Sequence, residues 1–263
     1  MGSSSRQALA LALEQLSATK GVSLATGEQL LAAARAIDDS AQLRAILGDP
    51  AVEAEPKAAL IAQVFPGAEK TTAALLGGIV ASRWSSGAEL VAGIEEVGIR
   101  AIAQGDGHTA TIESELFTFA RIVGADAQLE LALGSKLADP AGKASIVQEL
   151  LSKQATPGAL AIVLHLVQSP RGRRIGEMLA AAGDVVAAAG SRRIATVTTA
   201  SPLTAAQQKR LAAALATKYG SDIQLNLVTD PSVVGGARVQ LGDDVIDGTI
   251  ASRLADLRLQ LAG

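Results

Sequence analysis

The chain has 263 residues and a formal net charge of −3, with 49% apolar, 19% charged and only 2% aromatic side chains. That length supports two or three compact units with real cores, and frequent alanine with few aromatics favours close-packed helices over a sandwich or barrel. The charge leaves no positive field for non-specific nucleic-acid binding, and with 0 cysteines there is no disulfide framework, thiolate metal site or cysteine nucleophile.

The opening Met1-Gly2-Ser3-Ser4-Ser5-Arg6 leads into a helical pattern with no basic n-region, long apolar h-region or cleavage site, so no secretory signal is expected. Leu9, Leu13 and Leu16 then fall at i, i+4 and i+7, one face of a first helix. Thr26 with Gln29 reads as a capping box opening a second helix that carries Leu30, Leu31 and Ile37. Further helical runs cover Leu43 to Leu47, Ala51 to Phe65, Thr71 to Ala81 and Ala88 to Ala103, broken at Gly48-Asp49-Pro50, Pro66-Gly67 and Ser85-Ser86-Gly87. Together they predict a six-helix bundle over residues 1–105.

The next segment, 106–190, repeats that design. Ala41-Gln42-Leu43 returns as Ala127-Gln128-Leu129, Lys57 and Ile61 return as Lys143 and Val147, and Glu89 and Val97 return as Glu177 and Val185, a register kept through several helices as a duplication requires. Asp139-Pro140 and Thr156-Pro157 mark helix starts, because proline is tolerated where the amide has no intrahelical partner. No second-unit segment matches the Arg6 to Leu16 helix. The most apolar run, Leu160 to Val167, is well short of the roughly 20 residues a membrane helix needs and is read as core.

After Gly190 the pattern changes to β-branched alternation. Ile194, Val197 and Thr199 predict one strand, and Ile223, Leu225 and Leu227 another. Between them Thr204 with Gln207 caps a helix bearing Leu211 and Leu215. Val239 and Leu241 face Val245 across Gly242-Asp243-Asp244, a hairpin turn. A last helix after Gly248 puts Ile250, Leu254, Leu257 and Leu261 on one stripe. The expected fold is mainly α with a small α/β C-terminal domain, the latter β-α-β-β-α over 191–263.

Catalytic chemistry finds little support. Gly105-Asp106-Gly107-His108-Thr109-Ala110 fits a dinucleotide fingerprint in letters, but a helix precedes it where a strand is required. A phosphate-cradling G-x-x-x-x-G-K-S/T loop is absent. His108 and His165 have no second histidine at metal-binding spacing, and no nucleophile motif accompanies His165, which reads as a core or interface residue. No catalytic, cofactor-binding or metal residue is assigned. Arg171, Arg173 and Arg174, with Arg192 and Arg193 further on, form the most basic stretch. It is either a solvated face or a contact for an acidic partner, since guanidinium groups bind carboxylates in a bidentate fork.

The run from Asp230 through Gly235-Gly236, Gly242 and Asp247-Gly248 to Arg253-Leu254 resembles the C-terminal signature of the δ subunit (OSCP) family of F-type ATP synthases, and the likeness extends back through Ser201-Pro202-Leu203-Thr204. Its glycines serve backbone geometry, and Asp247 is placed to accept first-turn amides of the last helix. The first bundle resembles the family's N-terminal bundle more weakly, and the duplication resembles enlarged actinobacterial forms. The resemblance implies a non-catalytic stator, peripheral on the cytoplasmic face of the bacterial membrane and attached to it only through the complex. It would link the α/β head to the b stalk so that proton-driven rotation is coupled to ATP synthesis. The helical region would grip N-terminal segments of the α subunits and the C-terminal domain the b subunit. Candidate interface residues are Leu9, Leu13 and Leu16, Arg173 and Arg174, and the stripe Leu254, Leu257 and Leu261. A helical-repeat adaptor unrelated to ATP synthesis is the alternative.

Overall fold

A computed structural model describes residues 1–135, 138–190, 192–219, 222–241, 244–250 and 252. Gly242, Arg253, Leu254, Leu257 and Leu261 lie outside the described residues. The chain divides into two compact units, Met1–Ala189 and Gly190–Gly263.

The first unit is helical: α1 (Ser3–Ala18), α2 (Leu24–Asp39), α3 (Ala41–Gly48), α4 (Ala54–Val64), α5 (Lys70–Ala81), α6 (Gly87–Asp106), α7 (Thr109–Ala125), α8 (Ala127–Gly134), α9 (Pro140–Leu151), α10 (Pro157–Gln168) and α11 (Ile175–Ala189). Short polar caps set most of these starts. Ser40, Ser86, Asp126, Asp139 and Thr156 each accept a hydrogen bond from a first-turn amide of the helix that follows, satisfying donors that have no intrahelical partner. The capping box expected at Thr26 and Gln29 is displaced by one turn. Ser23 accepts from the Thr26 amide while the Thr26 hydroxyl accepts from the Ser23 amide, so α2 starts at Leu24. Gln29 is used elsewhere, accepting from the Glu69 amide at 2.9 Å just before α5.

Helices α2 to α6 and α7 to α11 follow the same order with closely similar lengths, and α2 packs along α6 as α7 packs along α11. Two cores result. One contains Ala8, Leu30, Ile37, Leu75, Ile79 and Leu90; the other contains Ile112, Leu116, Val147, Ile162, Leu166 and Leu179, together with Leu31, Ile99 and Ile102 from the first repeat. The change from one core to the other falls near the expected 105/106 division, yet both cores belong to one compact unit because α2 and α6 contribute to each. Helix α1 packs on α5 and α6, and α6 packs on α10 and α11. So α6 does for the second repeat what α1 does for the first, which is why the second repeat needs no added helix. Gly27 permits a close crossing: a Cβ there would lie 2.7 Å from the Ile102 amide nitrogen and 2.8 Å from the Gly98 oxygen, so α2 and α6 meet backbone to backbone.

The second unit holds β1 (Arg192–Thr199), α12 (Ala205–Tyr219), β2 (Asp222–Thr229), β3 (Ala237–Leu241) and β4 (Asp244–Asp247). The sheet order is β2-β1-β3-β4, with β1 parallel to β2 and β3 antiparallel to both β1 and β4. A parallel pair requires a crossover, and α12 supplies it. Its expected box is present: the Gln207 amide donates to the Thr204 hydroxyl and the Thr204 amide to Gln207 Oε1. Ala195, Val197, Leu215, Ile223, Val239 and Leu241 form the core of this unit.

Among the described residues, no helix is long and apolar enough to cross a membrane.

Candidate functional site

Along α6 the apolar face runs through Val91, Ile94, Gly98 and Ile102, all buried, and Glu95 lies within it. A carboxylate in that position needs partners, because an unpaired buried charge is too costly to keep. Three side chains supply them. His165 on α10 meets Glu95 Oε2 through Nε2 at 2.9 Å. Arg173 approaches as a fork, Nη1 at 3.0 Å from Oε1 and Nη2 at 3.3 Å from Oε2, and Arg171 pairs with Oε2 from the same turn. Behind the imidazole, Arg35 of α2 lies 2.8 Å from His165 Nδ1.

That last contact fixes the tautomer. A guanidinium only donates, so Nδ1 must accept and the ring proton sits on Nε2, where it donates to Glu95. His165 is therefore neutral. Burial pushes its pKa below the ordinary 6.5, opposed by the Glu95 carboxylate and assisted by the charges of Arg35 and Arg171. For Glu95, burial acts upward, but the hydrogen bonds from His165 and Arg173 and the charge of Arg171 outweigh it and hold the pKa at about 2. The turn that delivers the two arginines is tight: Arg171 has φ of 49° and Gly172 φ of 78°. A non-glycine residue in the left-handed region is held there by its surroundings, here by the Glu95 contact.

The cluster joins α2 and α6 of the first repeat to α10 and the α10–α11 turn of the second. It is not itself duplicated, since aligning α5 with α10 and α6 with α11 places Gly78 opposite His165 and Gly183 opposite Glu95. Chemically the arrangement is a clamp. It has no nucleophile, and its one histidine is closed off at both nitrogens. Among the described residues, no group of His, Asp or Glu could hold a metal ion.

Titration of this clamp is measurable. Because folded His165 takes a proton less readily than the unfolded residue, its contribution is full above about pH 6.5 and is lost as the pH falls below that value. Glu95, with its folded pKa depressed, adds a second loss between pH 4.5 and about 2. His165→Gln can still accept from Arg35 and donate to Glu95 but cannot titrate, so between pH 6.5 and 5 its urea-unfolding stability should lose less than the wild-type value does. Identical slopes for the two proteins would remove His165 as the titrating group.

The other sequence-derived residues divide into groups. Leu16 is buried in the first core, with Leu9 and Leu13 packed against it, while Leu11 of the same helix is exposed. Arg173 and Arg174 are both exposed, but Arg173 is committed to Glu95. Reversing charge at Arg173 would disturb the clamp, so Arg174→Glu is the clean test of an acidic partner: partner affinity should fall severalfold with melting unchanged, and unchanged affinity removes the contact.

In the second unit the signature residues converge. The Asp230 carboxylate accepts from the Ser232 amide, and that of Asp247 from the Thr249 amide, each at 2.9 Å. Hydrogen bonding from these partners lowers both pKa values, with Ser232 acting on Asp230 chiefly through its side chain and Thr249 on Asp247 through its backbone. Gly235 and Gly236 have φ of 70° and 84°, and the Gly248 amide donates to the Ala237 oxygen while Ile250 donates to that of Gly235. A Cβ on Gly236 would lie 2.5 Å from the Gly248 oxygen. The double glycine, with both residues at positive φ, thus binds the loop before β3 to the segment that follows β4.

The family model "ATP synthase delta (OSCP) subunit" matches residues 99–261, a span that includes these signature residues. The chain belongs to that family. An ATP synthase subunit delta from Leifsonia xyli subsp. xyli is 49% identical, with 100% of each chain covered; one from Streptomyces griseus subsp. griseus is 40% identical over 100% of each; and one from Acidothermus cellulolyticus is 38% identical over 90% of this chain and 88% of its own. The delta-family match begins inside α6 and runs through α7 to α12 and the four strands.

Glu95 and Arg35 were missed in the sequence. A signal existed for Glu95, an acid at i+4 from Val91 and three before Gly98 on an apolar stripe. For Arg35 there was none.

Proposed function

We propose that this delta-family chain is a non-catalytic stator link, in which the helical unit holds N-terminal segments of the head's α subunits and the C-terminal unit holds the b stalk, on the cytoplasmic face of the membrane. The observation that carries this reading is the delta-family match across the second repeat and the C-terminal signature. Two further features support it. The chain has two separate compact units, as a link between two partners needs, and within the helical unit a buried charge clamp ties the repeats together, suiting a part that must resist torque without chemistry. Durable tethering at each end asks for interfaces of roughly 1,200 to 2,000 Å².

Reconstitution tests it. Heads stripped of this protein should lose attachment to membranes carrying the stalk and regain it when the protein is added, while a form ending at Gly248 should bind heads but not the b subunit. Attachment restored without the protein would overturn the stator role; b binding by the shortened form would overturn only the placement of that interface on the last segment.

A further inference from the structure

The first bundle has a cavity of about 430 Å³ between α2, α4 and α5, with Ala33, Ala36, Phe65 and Leu76 among its apolar walls and no charged side chain in its lining. Two polar side chains line it, Gln29 and Thr72. Thr72 is 1% exposed, and its hydroxyl has no hydrogen-bond partner among the described residues. A buried hydroxyl left so costs stability and calls for an explanation. Gln29 Oε1 accepts from the Glu69 amide at 2.9 Å. That bond settles which end of the side-chain amide is which and leaves both Nε2 hydrogens to donate elsewhere.

The second repeat serves as a control. Its matching place lies between α7, α9 and α10, and the register is fixed by Glu115, which accepts from the Thr156 amide ahead of α10 at 2.9 Å as Gln29 does ahead of α5. Phe119 and Ile122 stand there where the first repeat has Ala33 and Ala36, and the cavity measures about 160 Å³. With α5 set on α10 as before, Thr72 falls opposite Ala159, so the hydroxyl is gone as well. In place of the Gln29 amide stands the Glu115 carboxylate, which only accepts. The first repeat alone combines room with donors.

We propose that this cavity of the first bundle binds a small, neutral, apolar molecule carrying a carbonyl oxygen, which accepts from the Thr72 hydroxyl and the Gln29 amide while its hydrocarbon part packs on Ala33, Ala36, Phe65 and Leu76. Small-molecule sites are of this size and make-up, mostly apolar with a few placed polar groups. A charged ligand is disfavoured because the lining offers no counter-charge, and a pure hydrocarbon would leave Thr72 unpaired. A ligand seated here ties the α4–α5 turn to α2 and stabilises the first bundle by mass action. Nothing in this site draws on the stator reading.

Acetophenone and ethylbenzene, alike in shape but differing in the carbonyl, are the probes, titrated into the purified full chain and followed by backbone amide NMR shifts. Acetophenone should give saturable shifts confined to α2, α4 and α5, with a Kd of about 1 mM or below, and ethylbenzene should bind about five times more weakly. Thr72→Val, which keeps the side-chain shape, should remove that preference while melting stays unchanged or rises. Ala36→Ile, at an exposed position, supplies the residue type of Ile122 and should abolish the shifts. Acetophenone shifts that fail to saturate or scatter over the chain mean an adventitious additive only and overturn the proposal. Equal affinity for the two compounds in the wild type overturns it too, as does wild-type binding by either variant.

Discussion

Glu95→Ala should lower the stability of the helical unit by about 3 to 5 kcal/mol, the cost of leaving buried charges without their counter-ion. Glu95 is the carboxylate that Arg171 and Arg173 both engage, and it receives the His165 proton. Without it, the guanidiniums lose their anion, the His165 donor is stranded, and nothing holds Arg171 in its left-handed conformation. For a unit of this size the melting temperature should fall by roughly 10 °C or more. The loss should be shared unevenly between repeats, because the clamp lies between two complete cores: hydrogen exchange should speed first in α10 and the α10–α11 turn, with the interior of the first bundle protected. A variant melting within a degree of wild type would show that the cluster contributes nothing net, as some buried ion pairs do.

Gly236→Val is expected to act on the other unit. The residue has φ of 84°, a conformation costing a β-branched side chain about 1 to 2 kcal/mol, and its Cβ would meet the Gly248 oxygen at 2.5 Å and the Thr249 Cα at 2.9 Å. Those are backbone atoms, tied in place by the Gly248 to Ala237 hydrogen bond, so no side chain can swing aside. A total of about 3 kcal/mol or more is expected, most of it from displaced β3 and the segment after β4. Because Met1–Ala189 is a compact unit with its own cores, its melting should be untouched, and head binding should survive while b binding is lost. Loss of both activities together would mean that the units do not fold independently.

Much of the architecture was legible along the chain because it depends on local rules. Helical periodicity, the prolines after Asp139 and Thr156, and the reciprocal pairing of Thr204 with Gln207 act over a few residues and appear as read. The box at the start of α2 was misplaced for an equally local reason: Ser23, with φ of −123° and ψ of 170°, can offer its hydroxyl to Thr26, and sequence letters alone do not give that backbone. The duplication was visible as paired residues, since a repeated bundle must bury the same positions twice.

What the sequence by itself determined is therefore the class of each segment, the repeat, and the signature that marks the family, because each depends on residue type at short spacing. Only the tertiary structure decided that α6 is shared by the two bundles, and that Glu95 gathers side chains from α10 and the turn after it with Arg35 of α2 behind them. The physical reason is that these depend on which faces of distant helices meet: a helix stripe says that a side chain is buried, but the partner that neutralises a charge there is chosen by packing across the fold.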